Sequence, residues 1–284
     1  MPIDVASSIK FTATDTEPTS DKGRIYYDDS ESKLKHYDGN NWGNVARDLT
    51  WGITPGYGPY TADDNTKLLI HSDTSNGSET FYDSSHFSRN VSRIGATHTT
   101  GYAKVGASSI DLTAGTHYLY VSDSNDWHFG GDDDYTIDFW VNLASSNGEY
   151  RFIGQYDTQW KFWRIEKRAH NDTAGEILYR RDYGTENATT TESSHGTSEI
   201  TGLTWIDNTW YHIALVKSSD GSGTLRFFRD GTLLATRTNH NPTLTNMGGN
   251  LEIGRQGMSS AVNGRMDEIR ISNVARWTAD FTVY

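Results

Sequence analysis

The feature that most constrains this chain is a succession of short segments in which apolar and polar residues alternate. In YTIDFWVNL, residues 135–143, the apolar side chains Ile137, Phe139, Val141 and Leu143 fall on one face, as in a strand with one buried face. No window shows an apolar stripe of 3.6-residue period long enough for a helix. The chain is also rich in Thr, Ser, Gly and Asn, and 12% of it is aromatic, which favours strands and turns. The sequence therefore predicts an all-β protein.

Short strands recur along the chain with regular turn signals between them. Candidate strands lie at 67–71, 105–112, 117–121, 151–156, 161–167, 177–183, 210–217, 225–229, 233–238, 251–254 and 266–272. In 210–217 both faces are apolar, which predicts a strand covered on both sides. Asp230-Gly231 supplies the positive φ of a tight hairpin turn. Since crossover helices are missing, we expect two packed antiparallel sheets in a sandwich or jelly roll, preceded by a small β-hairpin arm.

Four segments differ in composition. Residues 1–22 are polar and read as an extended arm, and residues 23–47 form a self-contained aromatic hairpin. Residues 48–62 are rich in Gly and Pro, as linkers are. Residues 63–284 carry the strand pattern of one large domain. Because two strands alone are marginal in water, the hairpin needs a partner that covers its apolar face.

Charge and cysteine content exclude several classes of protein. The net charge of −12 argues against a nucleic-acid binder, which needs a basic surface. The acidity is explained either by solubility or by carboxylates that hold a cation such as calcium. The chain has no Cys, so the fold rests on its core.

No secretory signal is visible, and no apolar run approaches the ~20 residues of a membrane span, so we expect no membrane insertion.

Six sequence blocks appear in one order from about residue 63 to the end of the chain. They are DDNTKLLIHSDTSNGSETFYDSS (63–85), YLYVSDSNDWHFGGDDDYTIDFWVN (118–142), NTWYHIALVKS (208–218), LRFFRDGTLLAT (225–236), LEIGRQ (251–256) and NGRMDEIRISNVARWTADFT (263–282). In this order they resemble the laminin-G-like, concanavalin A-like jelly-roll family. The resemblance implies a two-sheet antiparallel jelly-roll sandwich and a lectin-like domain.

The stretch GRIYYDDSESKLKHYDGNNW, residues 23–42, has a second resemblance. It is similar to a hairpin segment of bacteriophage tail fibres and other virion proteins. The resemblance implies a unit that packs against copies of itself or against other virion proteins, with a homotrimer as the default. The alternative is that the hairpin folds back onto the large domain. The same resemblance implies a virion location for a protein made in the bacterial host cytoplasm.

Catalytic motifs are missing from the sequence. Some relatives in this broad fold cleave glycans with a Glu-x-Asp-x-x-Glu triplet on one strand, and this chain has no such triplet. Asp132, Asp133 and Asp134 are consecutive loop residues, and Asp267 and Glu268 point to opposite faces if their strand is regular. No Gly-x-Ser-x-Gly elbow or zinc spacing is present. We therefore expect a protein that is not an enzyme, with a glycan-active enzyme of the same fold as the alternative.

One structural calcium ion is the cofactor that the resemblance implies. Relatives frequently bind such an ion near the junction of the first and last strands, and the matching positions here are Asp73, Asp83 and Asp267. Calcium takes six to eight oxygen ligands, often from loops and one or two carboxylates. The alternative is that Asp73 and Asp83 form turns by bonding to their own backbone.

Aromatic side chains are the candidates for carbohydrate binding. Flat rings stack on the apolar faces of sugars, while polar groups fix their orientation. The candidates are Trp140, Tyr156, Trp160, Trp163 and Arg164. The alternative is that these Trp residues pack in the core or at a sheet edge.

These inferences combine into one expected function. We expect a bacteriophage virion structural protein, in a tail fibre or as a capsid decoration, that displays a carbohydrate-binding or adhesion domain. Its partners would be other virion proteins and a cell-surface or extracellular polysaccharide. The third reading is a purely structural jelly roll without a ligand, which the sequence does not separate from adhesion.

Overall fold

The computed structural model of the chain describes residues 13–14, 25–28, 33–37, 42–44, 60–129, 133–158, 161–170, 174–183, 198–221, 223–239, 246–257 and 260–283. The chain divides into two compact units, Met1–Gly56 and Tyr57–Tyr284. Each unit has its own sheets and is described by itself.

The described residues of the first unit form one small sheet. Its strands are β1 (Ala13–Thr14), β2 (Ile25–Asp28), β3 (Lys33–Tyr37) and β4 (Trp42–Asn44), in the order β1-β2-β3-β4. Strands β2 and β3 are antiparallel, with Tyr27 opposite Leu34, and β1 runs parallel to β2. The aromatic hairpin seen in the sequence is thus the centre of a four-stranded sheet.

The second unit contains sixteen strands among its described residues. They are β5 (Thr66–Ile70), β6 (Phe81–Tyr82), β7 (Asn90–Ile94), β8 (Thr97–Thr99), β9 (Ser109–Asp111), β10 (Tyr118–Val121), β11 (Tyr135–Leu143), β12 (Tyr150–Thr158), β13 (Lys161–His170), β14 (Ala174–Tyr183), β15 (Ser198–Leu203), β16 (Trp210–Ser218), β17 (Thr224–Arg229), β18 (Thr232–Thr238), β19 (Leu251–Ile253) and β20 (Gly264–Ser272). Two short 3₁₀ turns, Thr100–Tyr102 and Asn125–Trp127, are the helical elements of the described residues.

Two large sheets organise these strands. We call the sheet with the order β15-β14-β13-β12-β19-β10-β7-β6 the front sheet. The back sheet has the order β18-β17-β16-β11-β20-β9-β8, and β5 also pairs with β20. Strand neighbours within both sheets are antiparallel. The predicted all-β, two-sheet antiparallel jelly-roll sandwich is confirmed.

The core lies between the inner faces of the two sheets. From the back sheet, Phe139 and Ile213 are fully buried, and from the front sheet Phe152 and Ile253 are also fully buried. The rings of Phe139 and Phe152 lie 5.5 Å apart across the core. The period-2 pattern of the sequence therefore sets the inward rows that the sandwich needs.

Strand β11 is buried on both faces, whereas its alternation predicted a half-buried strand. Asp138 is 0% exposed and Trp140 is 5% exposed, although both point away from the core. Their cover comes from distant parts of the chain. Tyr60 packs on Leu69 and Trp140, and the segment 275–283 packs on Ala214, Val216 and Phe228. The half-buried prediction was wrong because the chain ends of this unit cover the outer face of the back sheet.

Across the described part of the chain, no helix has the length and apolar character that a membrane crossing requires.

Candidate functional site

The outer face of the front sheet carries a row of polar and aromatic side chains. Register places Gly154 of β12 between Arg164 of β13 and Glu252 of β19, and Glu252 lies opposite Tyr120 of β10. Since Trp163 and its inward neighbours fill the core, this row faces away from it. The row therefore crosses four strands on one surface.

Gly154 is the low point of that row. A Cβ atom there would lie 2.5 Å from the backbone oxygen of Trp163 and 2.7 Å from Cβ of Arg164. No larger residue fits without moving β13. The row thus has no side chain between Arg164 and Glu252, and Gly154 itself is buried.

Tyrosines occupy the more open part of the same face. The rings of Tyr118 and Tyr120 lie 6.0 Å apart, and both residues are partly exposed. The guanidinium of Arg255 lies 3.7 Å from the ring centre of Tyr118. Tyr156, also partly exposed, follows on β12. We call Tyr118, Tyr120, Tyr156, Glu252 and Arg255 the tyrosine face.

A buried network of charges supports this face from one side. Arg164 Nε lies 2.6 Å from Glu166 Oε2, and Arg164 Nη1 donates to Gln256 Oε1 at 3.2 Å. Arg151 donates to the backbone oxygen of Gln256 at 2.7 Å. Glu252 accepts from the backbone N–H of Gly257 at 2.7 Å. These bonds tie the loop after β19 to strands β12 and β13, so the polar groups are held before any ligand arrives.

The structure does not bring the five sequence-predicted ligand residues together. Tyr156 and Arg164 lie on the outer face of the front sheet, and Trp160 lies outside the described residues. Trp163 is 1% exposed and its Nε1 donates to the backbone oxygen of Trp127, so it has no ring face open to a sugar. Trp140 lies on the back sheet beneath Lys104, whose Nζ is 4.1 Å from the ring centre. The two Trp residues are structural because packing partners already occupy their rings.

Sequence reasoning missed Tyr118 and Tyr120, although the sequence contains a signal for them. In HYLYV, residues 117–121, the apolar Leu119 and Val121 alternate with the two tyrosines. Leu119 and Val121 are buried in the core, which sends Tyr118 and Tyr120 to the outer face.

A second group of ionisable side chains lies at the junction of β5 and β20. Met266 and Ile269 both point into the core, so two residues, Asp267 and Glu268, stand between them instead of one. The register with β11 shifts at this point, and Glu268 has φ of 50°. This β-bulge turns both carboxylates toward the outer side. The expectation that Asp267 and Glu268 point to opposite faces held only for a regular strand, and β20 is not regular at this point.

The end of β5 supplies the other groups of this cluster. His71 Nδ1 lies 2.7 Å from Glu268 Oε2, and Asp73 accepts from the backbone N–H of Ala107 at 2.7 Å. Between them Ser72 is buried, and its Oγ lies 2.6 Å from Nδ1 of His98. Burial lowers the pKa of His98, so its neutral ring serves as the anchor for Ser72. The alternation His71-Ser72-Asp73 thus sends two ligand-type side chains outward.

Burial and neighbouring carboxyl groups disfavour the charged forms of Asp267 and Glu268, as their pKa values show. Burial raises the pKa of Asp267 well above its usual value, and the neighbouring Glu268 raises it further. Burial likewise raises the pKa of Glu268, against the opposing effect of His71. Asp73 adds to the rise in both cases. Burial is thus the main reason why both carboxyl groups have raised pKa values.

Two of the three predicted calcium ligands accept hydrogen bonds from the backbone with their carboxylate oxygens. Asp83 accepts from the backbone N–H groups of Leu69, Ser85 and Arg89, so it organises its own turn. Asp267 accepts from the backbone N–H groups of Lys104, Val105 and Glu268. Asp83 therefore lies away from the cluster, and Asp267 lies beside it. Asp73 alone of the predicted set presents a ligand atom close to those of His71 and Glu268.

Comparison with known proteins identifies the family of this sandwich. A sequence model described as the concanavalin A-like lectin/glucanases superfamily, of laminin-G type, matches residues 113–280, more than half of the chain. The chain belongs to this superfamily. No curated protein matches it by sequence.

Solved structures of this concanavalin A-like fold agree with the chain at low sequence identity. Domain 4 of the extracellular arabinanase AbnA of Geobacillus stearothermophilus, in complex with arabinotriose, is 14% identical with a TM-score of 0.53, over 74% of this chain and 93% of that one. The binding domain of Paraclostridial Mosquitocidal Protein 1 is 17% identical with a TM-score of 0.54, over 75% of this chain and 49% of that one. The binding domain of botulinum neurotoxin DC, in complex with SialylT, is 12% identical with a TM-score of 0.51, over 75% and 48%. The chain thus spans about half the length of the toxin domains, and these likenesses show the fold alone.

Proposed function

We propose that this protein is a structural component of a bacteriophage particle whose concanavalin A-like domain binds carbohydrate on the tyrosine face. The observation that carries the binding proposal is that Tyr118, Tyr120, Glu252 and Arg255 place partly exposed aromatic and charged groups on one surface. The assignment to a bacteriophage particle is based on the first unit.

The chemistry of the tyrosine face suits a sugar. A partly exposed tyrosine ring offers a flat apolar surface, and sugars present apolar C–H faces to such rings. Glu252 and Arg255 offer an acceptor and donors beside Tyr120, and each already has a partner that fixes its position. The complex of a similar domain with arabinotriose supports this proposal.

We propose binding without turnover. Glycoside hydrolysis needs two carboxyl groups on either side of one bond, and one of them must meet the leaving group as an acid. On this face Glu166 is fully buried against Arg164, and Glu252 is bound by the N–H of Gly257. Neither glutamate is placed to act as an acid or base toward a sugar. A glycan-active enzyme is the alternative, and a jelly roll without a ligand is the third reading.

A glycan array with the full chain, followed by a reducing-sugar assay on the glycans retained, separates these three readings. We expect retention of at least one polysaccharide and no release of reducing ends. Release of reducing ends would favour the enzyme, and an array without any retained glycan would favour the purely structural protein.

The particle assignment rests on the hairpin of β2 and β3 and its resemblance to virion segments. A tail fibre is our first placement and a capsid decoration the second, with the virion as the location. We expect residues 1–56 to assemble copies of the chain into a trimer, because a small sheet needs cover for its apolar face.

Light scattering in solution tests this assembly. The shortened chain should begin at Tyr57, because Tyr60 is 5% exposed and packs on Leu69 and Trp140. We expect a trimer for the full chain and a monomer for the shortened one. If both chains are monomers, sequence resemblance alone supports the particle assignment.

A further inference from the structure

Three ligand-type groups of the back sheet converge within a small space. The Nδ1 or Nε2 atom of His71 and one carboxylate oxygen each of Asp73 and Glu268 all lie within 4.8 Å of one another. The three residues come from two distant parts of the chain, which β5 and β20 bring together by pairing Ile70 with Ile269. The tyrosine face is on the other sheet, so this cluster is separate from the proposed sugar site.

The backbone holds this cluster in place. The bulge in β20 presents Glu268, and Ser72 is locked to His98, which in turn contacts the backbone oxygen of Thr80 at 2.9 Å. Asp73 is fixed by the N–H of Ala107. The ligand atoms therefore have few conformations to lose when an ion binds.

Charge is unbalanced around the cluster, which is an observation independent of its geometry. Asp267 is fully buried, and within the described residues it has no salt bridge. Arg270, the next basic side chain on β20, donates to both carboxylate oxygens of Asp138 at 3.0 Å. His71 pairs with Glu268, whereas Asp267 is held by backbone N–H groups. A buried carboxylate without a counter-charge is costly, and a bound cation removes that cost.

We propose that His71, Asp73 and Glu268 bind a divalent first-row transition-metal ion, of the zinc, cobalt or manganese kind, in preference to calcium. Imidazole nitrogen is a ligand for these metals, whereas calcium takes six to eight oxygens. One nitrogen and two carboxylates converge here, which leaves the remaining positions to water. This set differs from the calcium set predicted from the sequence in two of three members.

Asp267 has a supporting role in this site. Its two oxygens accept three backbone N–H groups, two of which belong to the loop at Lys104 and Val105. It therefore holds that loop beside the site, and its oxygens are engaged with the backbone rather than with the ion. Such outer groups tune metal affinity by about 10–100-fold.

The test uses the full chain after treatment with a chelator. Melting temperature is measured with zinc, manganese, cobalt, calcium or magnesium at equal concentrations, and visible absorption is recorded with cobalt. We expect zinc, cobalt and manganese to raise the melting temperature more than calcium, and cobalt to give d–d absorption bands. Glu268→Gln should lose both responses. Glu149→Gln, at an exposed glutamate far along the chain, should keep them.

A ligand swap keeps the proposal testable if Glu268→Gln does not fold. His71→Asp replaces the nitrogen ligand by an oxygen ligand. Compared with the wild type, this variant should gain more melting temperature from calcium. It should need at least a tenfold higher zinc concentration for the same gain. The proposal is overturned if calcium stabilises the wild type as well as zinc does, if no ion changes the melting temperature, or if His71→Asp responds to zinc as the wild type does.

Discussion

At the scale of single residues, the outer face of the back sheet depends on one buried ion pair. Asp138 and Arg270 are 0% and 3% exposed, and two hydrogen bonds of 3.0 Å join them. Burial alone would raise the pKa of Asp138, but Arg270 and His212 outweigh it and hold that pKa below its usual value. Tyr60 lies over the guanidinium at 5.0 Å. The pair is therefore tolerated in a buried site because Arg270 donates a hydrogen bond to each carboxylate oxygen of Asp138.

Removal of one partner of this pair should be costly. Arg270→Met leaves Asp138 buried without its counter-charge, and we expect a loss of about 3–5 kcal/mol in the free energy of unfolding. Urea unfolding measures it. The double variant Asp138→Leu with Arg270→Met should recover most of the loss, and Arg93→Met, from the more exposed pair with Glu79, should change stability little. A single variant as stable as the double one would contradict this account.

The exposed carboxyl group of Asp63 should contribute to stability in a way that depends on pH. Hydrogen bonds from Arg276 hold the pKa of Asp63 well below its usual value. A lowered folded-state pKa means that the contribution is present above the unfolded pKa of about 3.9 and is lost as the pH falls through the folded value.

The variant Asp63→Asn isolates that contribution. The difference in unfolding free energy between the wild type and this variant should be constant from about pH 8 to pH 5 and should shrink below about pH 4. Urea unfolding across this range provides the measurement. A difference that grows as the pH falls would show that the ion pair with Arg276 is not its source.

At the scale of elements, turns were easier to predict than irregular strands. Asp230-Gly231 predicted the hairpin of β17 and β18, and the structure confirms it with φ of 53° and 77°. The bulge at Asp267-Glu268 was missed, although the spacing of three between Met266 and Ile269 breaks the strand period. Sequence alternation alone does not show which of two apolar neighbours faces the core. In the pair Phe162-Trp163, it is Trp163, a predicted ligand residue, that faces the core.

A matched pair of glycines tests what the hairpin turn requires. Gly221 has φ of 72° and open space around its missing side chain, so Gly221→Ala should cost about 1–2 kcal/mol through backbone strain alone. Gly231 has φ of 77°, and a Cβ there would lie 2.0 Å from the backbone oxygen of Phe281. Gly231→Ala should therefore cost about 3 kcal/mol or more in urea unfolding. Equal costs would mean that the contact with the C-terminal segment contributes nothing.

At the scale of the whole molecule, the two large sheets differ in what covers their outer faces. The back sheet is covered by Tyr60 and by the segment 275–283 of the same chain. The front sheet keeps partly exposed tyrosines. The sandwich was predictable from strand period, but this difference was not, because it depends on where segments distant in sequence return. We propose that the tyrosine face is the ligand-binding surface.

The most direct test of that claim is a glycan array with three full-length proteins, the wild type, Tyr120→Ala and Tyr102→Ala. Tyr102 is 49% exposed and lies outside the tyrosine face, so its variant controls for loss of a surface tyrosine. We predict that Tyr120→Ala binds the retained glycans more than about tenfold more weakly, while Tyr102→Ala binds them as the wild type does. A folded Tyr120→Ala variant with wild-type binding, or a wild type that retains no glycan, would contradict the account.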